Sequence, residues 1–139
     1  RVLFRSSEAQ RASHPDGVIS TQQMPTGFTG VVIANELLDN LPFRLAVFDG
    51  GWREAYVVPQ ADGSVAEVLR PAPVEWAVWL PQRATHGNRA PVQEQARQWV
   101  HGACSSLHAG TVLCIDYCTA TTAEVAAMPR PNSTVSSAA

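Results

Sequence analysis

The sequence predicts an α/β chain in which part of a parallel sheet carries an inserted antiparallel β-meander, and three observations support this. The run Gly30-Val-Val-Ile-Ala-Asn35 is small or apolar until it meets Asn35, Glu36, Asp39 and Asn40, as a buried strand does when it ends at a polar site. From Phe43 the pattern changes to an alternation of period two, broken by Asp-Gly turns. Further on, Val92, Ala96, Trp99, Ala103 and Leu107 recur at helical spacing as one apolar stripe, and a second apolar run, Thr111 to Tyr117, follows.

The first six residues, Arg1-Val-Leu-Phe-Arg-Ser6, match the translation of a common sequencing-adapter stretch, so the expectation is an artefact, the alternative being a short strand from Val2 to Phe4. Ser7 to Ser13 has helical character and must stop before His14-Pro15, since a residue preceding proline is pushed out of the helical region. Val18 to Ser20 is a very short strand and Met24 to Gly30 a loop. Gly30 to Asn35 is the central strand; being apolar on both faces, it should be covered on both. Glu36 to Leu41 forms a helical turn that Pro42 ends.

Phe43 to Phe48, Trp52 to Val58 and Ser64 to Leu69 are three antiparallel strands joined by turns at Asp49-Gly50-Gly51 and Ala61-Asp62-Gly63. Val74 to Leu80, with Trp76 and Trp79, is either a fourth strand or an apolar loop packed on the meander, which makes 43–80 the β-rich insertion. Pro81 to Pro91 reads as loop. The helix from Val92 to Leu107 closes at Ala109-Gly110, and a right-handed crossover makes the Thr111–Tyr117 strand parallel to Gly30–Asn35 and its neighbour. Thr121 to Met128 is a last short helix, and 130–139 a disordered tail. The body of the domain is then 7–129.

With 139 residues, 45% of them hydrophobic, the chain can form one domain or part of one. A formal net charge of −2, with 16% charged residues, gives no electrostatic reason to expect nucleic acid or an acidic membrane as partner. No apolar run approaches the roughly 20 residues of a membrane span, so a soluble, cytoplasmic protein is expected. Cys104, Cys114 and Cys118 are an odd set that suits a reducing compartment. Cys114 and Cys118 would lie roughly 13 Å apart along a strand, too far for a metal pair, and His14, His86, His101 and His108 lack ligand spacing, so no metal is expected.

Glu36 and Asp39, three residues apart on a helical turn, could present two carboxylates to one side and hold a guanidinium by charge-assisted hydrogen bonds. Asn35 could orient a ligand, or simply cap the turn with Glu36 in its first turn. Trp52 is a packing residue, while Arg53 and Glu54 should face solvent.

The segment ANELLDNLP from Ala34 to Pro42, then Gly51-Trp52-Arg53-Glu54, and much later Gly110-Thr-Val-Leu-Cys-Ile-Asp116-Tyr117, resemble in their order the MidA family of S-adenosylmethionine-dependent methyltransferases, whose mitochondrial members methylate an arginine of a respiratory complex I subunit. The resemblance covers a little over half the chain. It implies a partial class I methyltransferase, Rossmann-like sheet, with S-adenosyl-L-methionine as cofactor and a protein substrate, the compartment being the mitochondrial matrix if the source is eukaryotic. It further implies Asn35, Glu36 and Asp39 as the catalytic set; Gln23, Met24 and Asn35 as cofactor contacts; and Asn40, Pro42, Asp116 and Tyr117 as substrate contacts. The family's glycine-rich turn and the acidic residue after its second strand have no counterpart before position 30, so the chain is expected to be the C-terminal part of the catalytic domain. Cys118 stands where the family usually has glycine. The alternative expectation is a non-catalytic interaction module that uses the meander as a docking surface on a degenerate methyltransferase fold.

Overall fold

The structure, a computed structural model, describes residues 2–4, 12, 15–119, 121 and 124. Its strands, in chain order, are β1 (Val2–Phe4), β2 (Ile19–Thr21), β3 (Phe28–Asn35), β4 (Arg44–Phe48), β5 (Trp52–Pro59), β6 (Val65–Pro71), β7 (Arg89–Val92) and β8 (Leu107–Ile115). A 3-10 helix covers Val74–Val78 and one α-helix, α1, covers Glu94–Ser106. The strands form a parallel β1-β2 pair, a parallel β3-β8 pair and an antiparallel sheet in the order β6-β5-β4-β7. The fold is therefore the mixed α/β arrangement that the sequence predicts.

β3 and β8 are parallel neighbours, in register from Thr29 opposite Ala109 to Asn35 opposite Ile115. Gly30 faces Gly110, whose φ is 143°, and a Cβ on Gly110 would collide with the Gly30 carbonyl oxygen, so a side chain is excluded where the two backbones approach. The expected helix end at Ala109-Gly110 is corrected. α1 stops at Ser106, Leu107 is already extended, and Gly110 lies inside β8. A helix feeding directly into a strand leaves no room for a left-handed cap.

Coverage of β3 on both faces is also corrected. Ala34 is buried, but Val31 and Ile33 are 60% and 65% exposed, and Leu113 and Ile115 beside them are 46% and 51% exposed. A sheet has two faces to cover, and α1 packs against β8 on one of them.

The meander forms as expected and gains a fourth strand. β4 pairs with β5 from Leu45 opposite Ala55 to Phe48 opposite Trp52, and β5 pairs with β6. β7 lies in the stretch expected to be loop and pairs with β4, with Ala46 opposite Ala90. Its Pro91 is tolerated because β7 is an edge strand. Val74–Val78 is neither strand nor loop but a 3-10 turn that drives Trp76, 1% exposed, into a core of Ala46, Leu80, Ala90 and Val92. Trp52 packs on this core, donates its indole N–H to the Pro81 carbonyl at 2.7 Å and meets Phe48 edge to face. Its expected packing role is what the structure shows.

Val2–Phe4 forms β1, in register with Ile19–Thr21. Ser7–Ser13 lies outside the described residues except for Ala12, which is helical, as does most of Thr121–Met128. There Glu124 donates its N–H to Thr121 Oγ1 at 3.2 Å. The 130–139 tail lies wholly outside them.

Candidate functional site at the carboxyl ends of β3 and β8

Where β3 ends, the chain turns away through Glu36 to Leu41 without forming a helix. Two bonds between residues three apart, Asn40 N–H to the Leu37 carbonyl and Leu41 N–H to the Leu38 carbonyl, each at 3.2 Å, close a tight turn. Glu36 has a φ of 46°, the left-handed region that costs a residue with a Cβ free energy and persists only where its surroundings hold it. This corrects the expected helical turn. A helix cannot start on a left-handed residue, so Asn35 is not its cap and Glu36 is not in a first turn.

Hydrogen bonds supply the hold. Glu36 donates its N–H to the Ile115 carbonyl at 2.8 Å, extending the β3-β8 ladder by one rung. The next rung would need an acceptor at the level of residue 117, and the Asp116 side chain supplies it, its Oδ2 accepting the Leu38 N–H at 2.7 Å while Oδ1 accepts the Tyr117 N–H at 2.9 Å. Asn40 Nδ2 donates to the Glu36 carbonyl at 2.8 Å and to Asp39 Oδ1 at 2.9 Å. Leu41 is buried beneath the turn.

The structure thus brings together Asn35, Glu36, Asp39, Asn40 and Asp116 at one end of the sheet. Asn35, Glu36, Asp39, Asn40 and Pro42 are exposed there, Asp116 is half-buried and Tyr117 is 84% exposed. It does not bring Gln23 and Met24 to them. Met24 lines a cavity of about 300 Å3 with Thr26, Trp99, Gly102, Ser105 and Ser106, where α1 ends and β8 begins. Gly27 N–H bonds the Ser106 carbonyl at 2.8 Å, which fixes this segment at the start of β3. An eight-residue strand is roughly 25 Å long, so Met24 and Asn35 stand at opposite ends of the sheet.

Sequence reasoning missed a charged cluster on the meander. Glu54, expected in solvent, is 5% exposed, and Arg44 grips it with Nε to Oε1 at 2.6 Å and Nη2 to Oε2 at 2.5 Å. The Tyr56 hydroxyl donates to the same Oε2 at 2.7 Å. The hydrogen bond from Arg44 holds the Glu54 carboxyl below its ordinary range, against burial, which pushes it up, and Tyr56 adds to the lowering. Arg44 also lies 4.8 Å over the Trp76 ring and 3.7 Å from Glu94 at the start of α1, which ties the meander to the helix. The signal was available: the turn at Asp49–Gly51 pairs Phe48 with Trp52, which sets Ala46 opposite Glu54 and Arg44 diagonal to it on one face. Arg53, by contrast, is half-exposed and pairs with Asp49 at 3.6 Å.

The groups at the strand ends fit one side of a polar cofactor. Asn35 offers an exposed amide at the carboxyl end of a parallel strand, where ligands of such sheets bind. Among the described residues no glycine-rich turn stands beside it, since Gly30 and Gly110 are engaged with each other at the other end of the strands. No group of His, Cys, Asp and Glu among the described residues is arranged to hold a metal. None of the described helices is long and apolar enough to cross a membrane.

Comparison with known proteins is consistent with this geometry. No curated protein matches the chain. It resembles the crystal structure of an uncharacterized COG1565 superfamily protein from Burkholderia thailandensis at 30% identity and a TM-score of 0.67, covering 73% of this chain and 28% of that one. A COG1565 superfamily member from Burkholderia thailandensis bound to S-adenosyl-homocysteine is also 30% identical, with a TM-score of 0.59, over 66% of this chain and 24% of that one. The chain thus spans about a quarter of the length of the solved relatives it matches. Residues 7–138 match the family model described as "Putative S-adenosyl-L-methionine-dependent methyltransferase". A match over nearly the whole chain, with MidA-like signatures at the strand ends, means that the chain belongs to this MidA-like family of S-adenosyl-L-methionine-dependent methyltransferases.

Proposed function

We propose that the parent protein transfers a methyl group to an arginine of a protein substrate, and that this chain is the C-terminal part of its catalytic domain. The observation that carries the reading is the turn at Glu36–Leu41, which presents two exposed carboxylates, Glu36 and Asp39, at the carboxyl edge of a parallel sheet. A guanidinium is a poor nucleophile while it is protonated, and carboxylates beside it orient it and can accept the proton it loses. Glu36 and Asp39 bind and orient the guanidinium here, and Asn35 orients the donor. When bound, S-adenosyl-L-methionine supplies an electrophilic methyl group. Asn40 steadies Asp39 through the 2.9 Å hydrogen bond, and Pro42 and Tyr117 form the exposed rim against which the substrate chain lies. The compartment consistent with this reading is the cytoplasm, or the mitochondrial matrix in a eukaryote.

The test is methyl transfer by the full-length parent. Asp39→Ala should lower kcat by at least about a hundredfold and leave cofactor affinity within about twofold, as loss of a substrate-orienting carboxylate does. Unchanged turnover would remove Asp39 from the reacting set.

A further inference from the structure

We propose that Asp116 is a positioning residue. Its carboxylate fastens the turn after β3 to the end of β8, so that Glu36 and Asp39 are held in one register, and it does not itself contact the substrate. The inference deepens the methyl-transfer reading and rests on it for its consequence, though not for its geometry.

Three features carry it. Both carboxylate oxygens are engaged by backbone N–H groups, Oδ2 by Leu38 across 78 positions of sequence and Oδ1 by Tyr117. The Leu38 bond stands where the parallel ladder would next have used a backbone carbonyl, two residues beyond the Glu36 N–H to Ile115 rung. The residue that follows the end of β3 and carries the first of these anchored N–H groups is Glu36, in its left-handed conformation. A non-glycine residue takes that conformation only where its neighbours over-determine it. Fixing the N–H groups of residues 36 and 38 to β8 does this, and Asn40 closes the turn from its other side on the Glu36 carbonyl. A residue so occupied by main-chain donors is better suited to setting the direction of its neighbours than to recognising a guanidinium.

The test reads the Leu38 amide in the full chain by NMR, without cofactor or substrate. In the unaltered protein, a scalar coupling across the hydrogen bond should connect the Leu38 amide nitrogen to the Asp116 side-chain carboxyl carbon. Asp116→Ala should speed hydrogen exchange at Leu38 at least about tenfold, while Val32 and Leu113, inside the β3-β8 ladder, keep their protection. Asp116→Asn keeps one acceptor oxygen, which can face Leu38 with the amide nitrogen turned to the Tyr117 side, and should restore most of the protection at Leu38. A Leu38 amide that shows no such coupling and is indifferent to Asp116→Ala would overturn the proposal, and so would Asp116→Asn behaving as Asp116→Ala does. Should Asp116→Ala fail to fold, the coupling in the unaltered protein and the Leu38 protection in Asp116→Asn still decide. Because these readouts need no turnover, failure of the methyl-transfer reading would leave them standing, and failure here would leave Asp39 untouched.

Discussion

Glu54 sits on the core side of a hairpin, and a carboxylate there is tolerable only because Arg44 and Tyr56 satisfy its oxygens. Removing one partner leaves the other buried without compensation. Arg44→Ala should therefore cost about 2–3 kcal/mol in denaturant unfolding, less than a fully buried pair because part of Arg44 meets water. The pH dependence has a definite sign. The folded Glu54 carboxyl is held low by Arg44, so its contribution is complete above the ordinary glutamate value of about 4.3 and is lost as pH falls through the lower folded value. Glu54→Gln should flatten the fall in stability below about pH 4, and an unchanged acid profile would show that the pair contributes nothing. Reading Glu54 as solvated went wrong because the strand was judged residue by residue. Its environment lies across the hairpin, in the register that the Asp49–Gly51 turn sets.

Elements with strong periodicity were legible: β3, the meander, α1 and the parallel pairing of β8 all follow from spacing and crossover handedness. Elements made by context were not. β7 contains Arg89 and Pro91 within four residues and pairs only because β4 offers an open edge. Leu107 ends α1 and begins β8 at once, so the glycine after it read as a cap when its task is the close approach to Gly30. That task is testable. Gly110→Ala adds a side chain at a φ of 143° against the Gly30 backbone, and thermal unfolding should show a loss of at least about 1–3 kcal/mol from the backbone alone. A Tm within a degree of the parent's would mean that the strands separate there at no cost. In the candidate site, the residues of the strand end were legible, but the turn's left-handed start was not, since nothing in Asn35-Glu36-Leu37 announces a positive φ and the Asp116 contact that sustains it is remote in sequence.

At the scale of the molecule, the parallel strands have one partly covered face, with Ala34 buried, and one on which Val31, Ile33, Leu113 and Ile115 stand exposed. An aliphatic surface of that kind suits a sheet designed to be packed on both sides. The solved relatives, about four times as long as the matched portion, have the chain with which to do so. Under the proposed function, the carboxylate edge of the site lies in these residues and most of the cofactor's cradle in other parts of the parent. The most direct measurement is calorimetric titration of S-adenosyl-L-methionine into this chain and into the full-length parent. The account predicts micromolar binding by the parent and no measurable binding by the chain. Micromolar binding by the chain alone would contradict it.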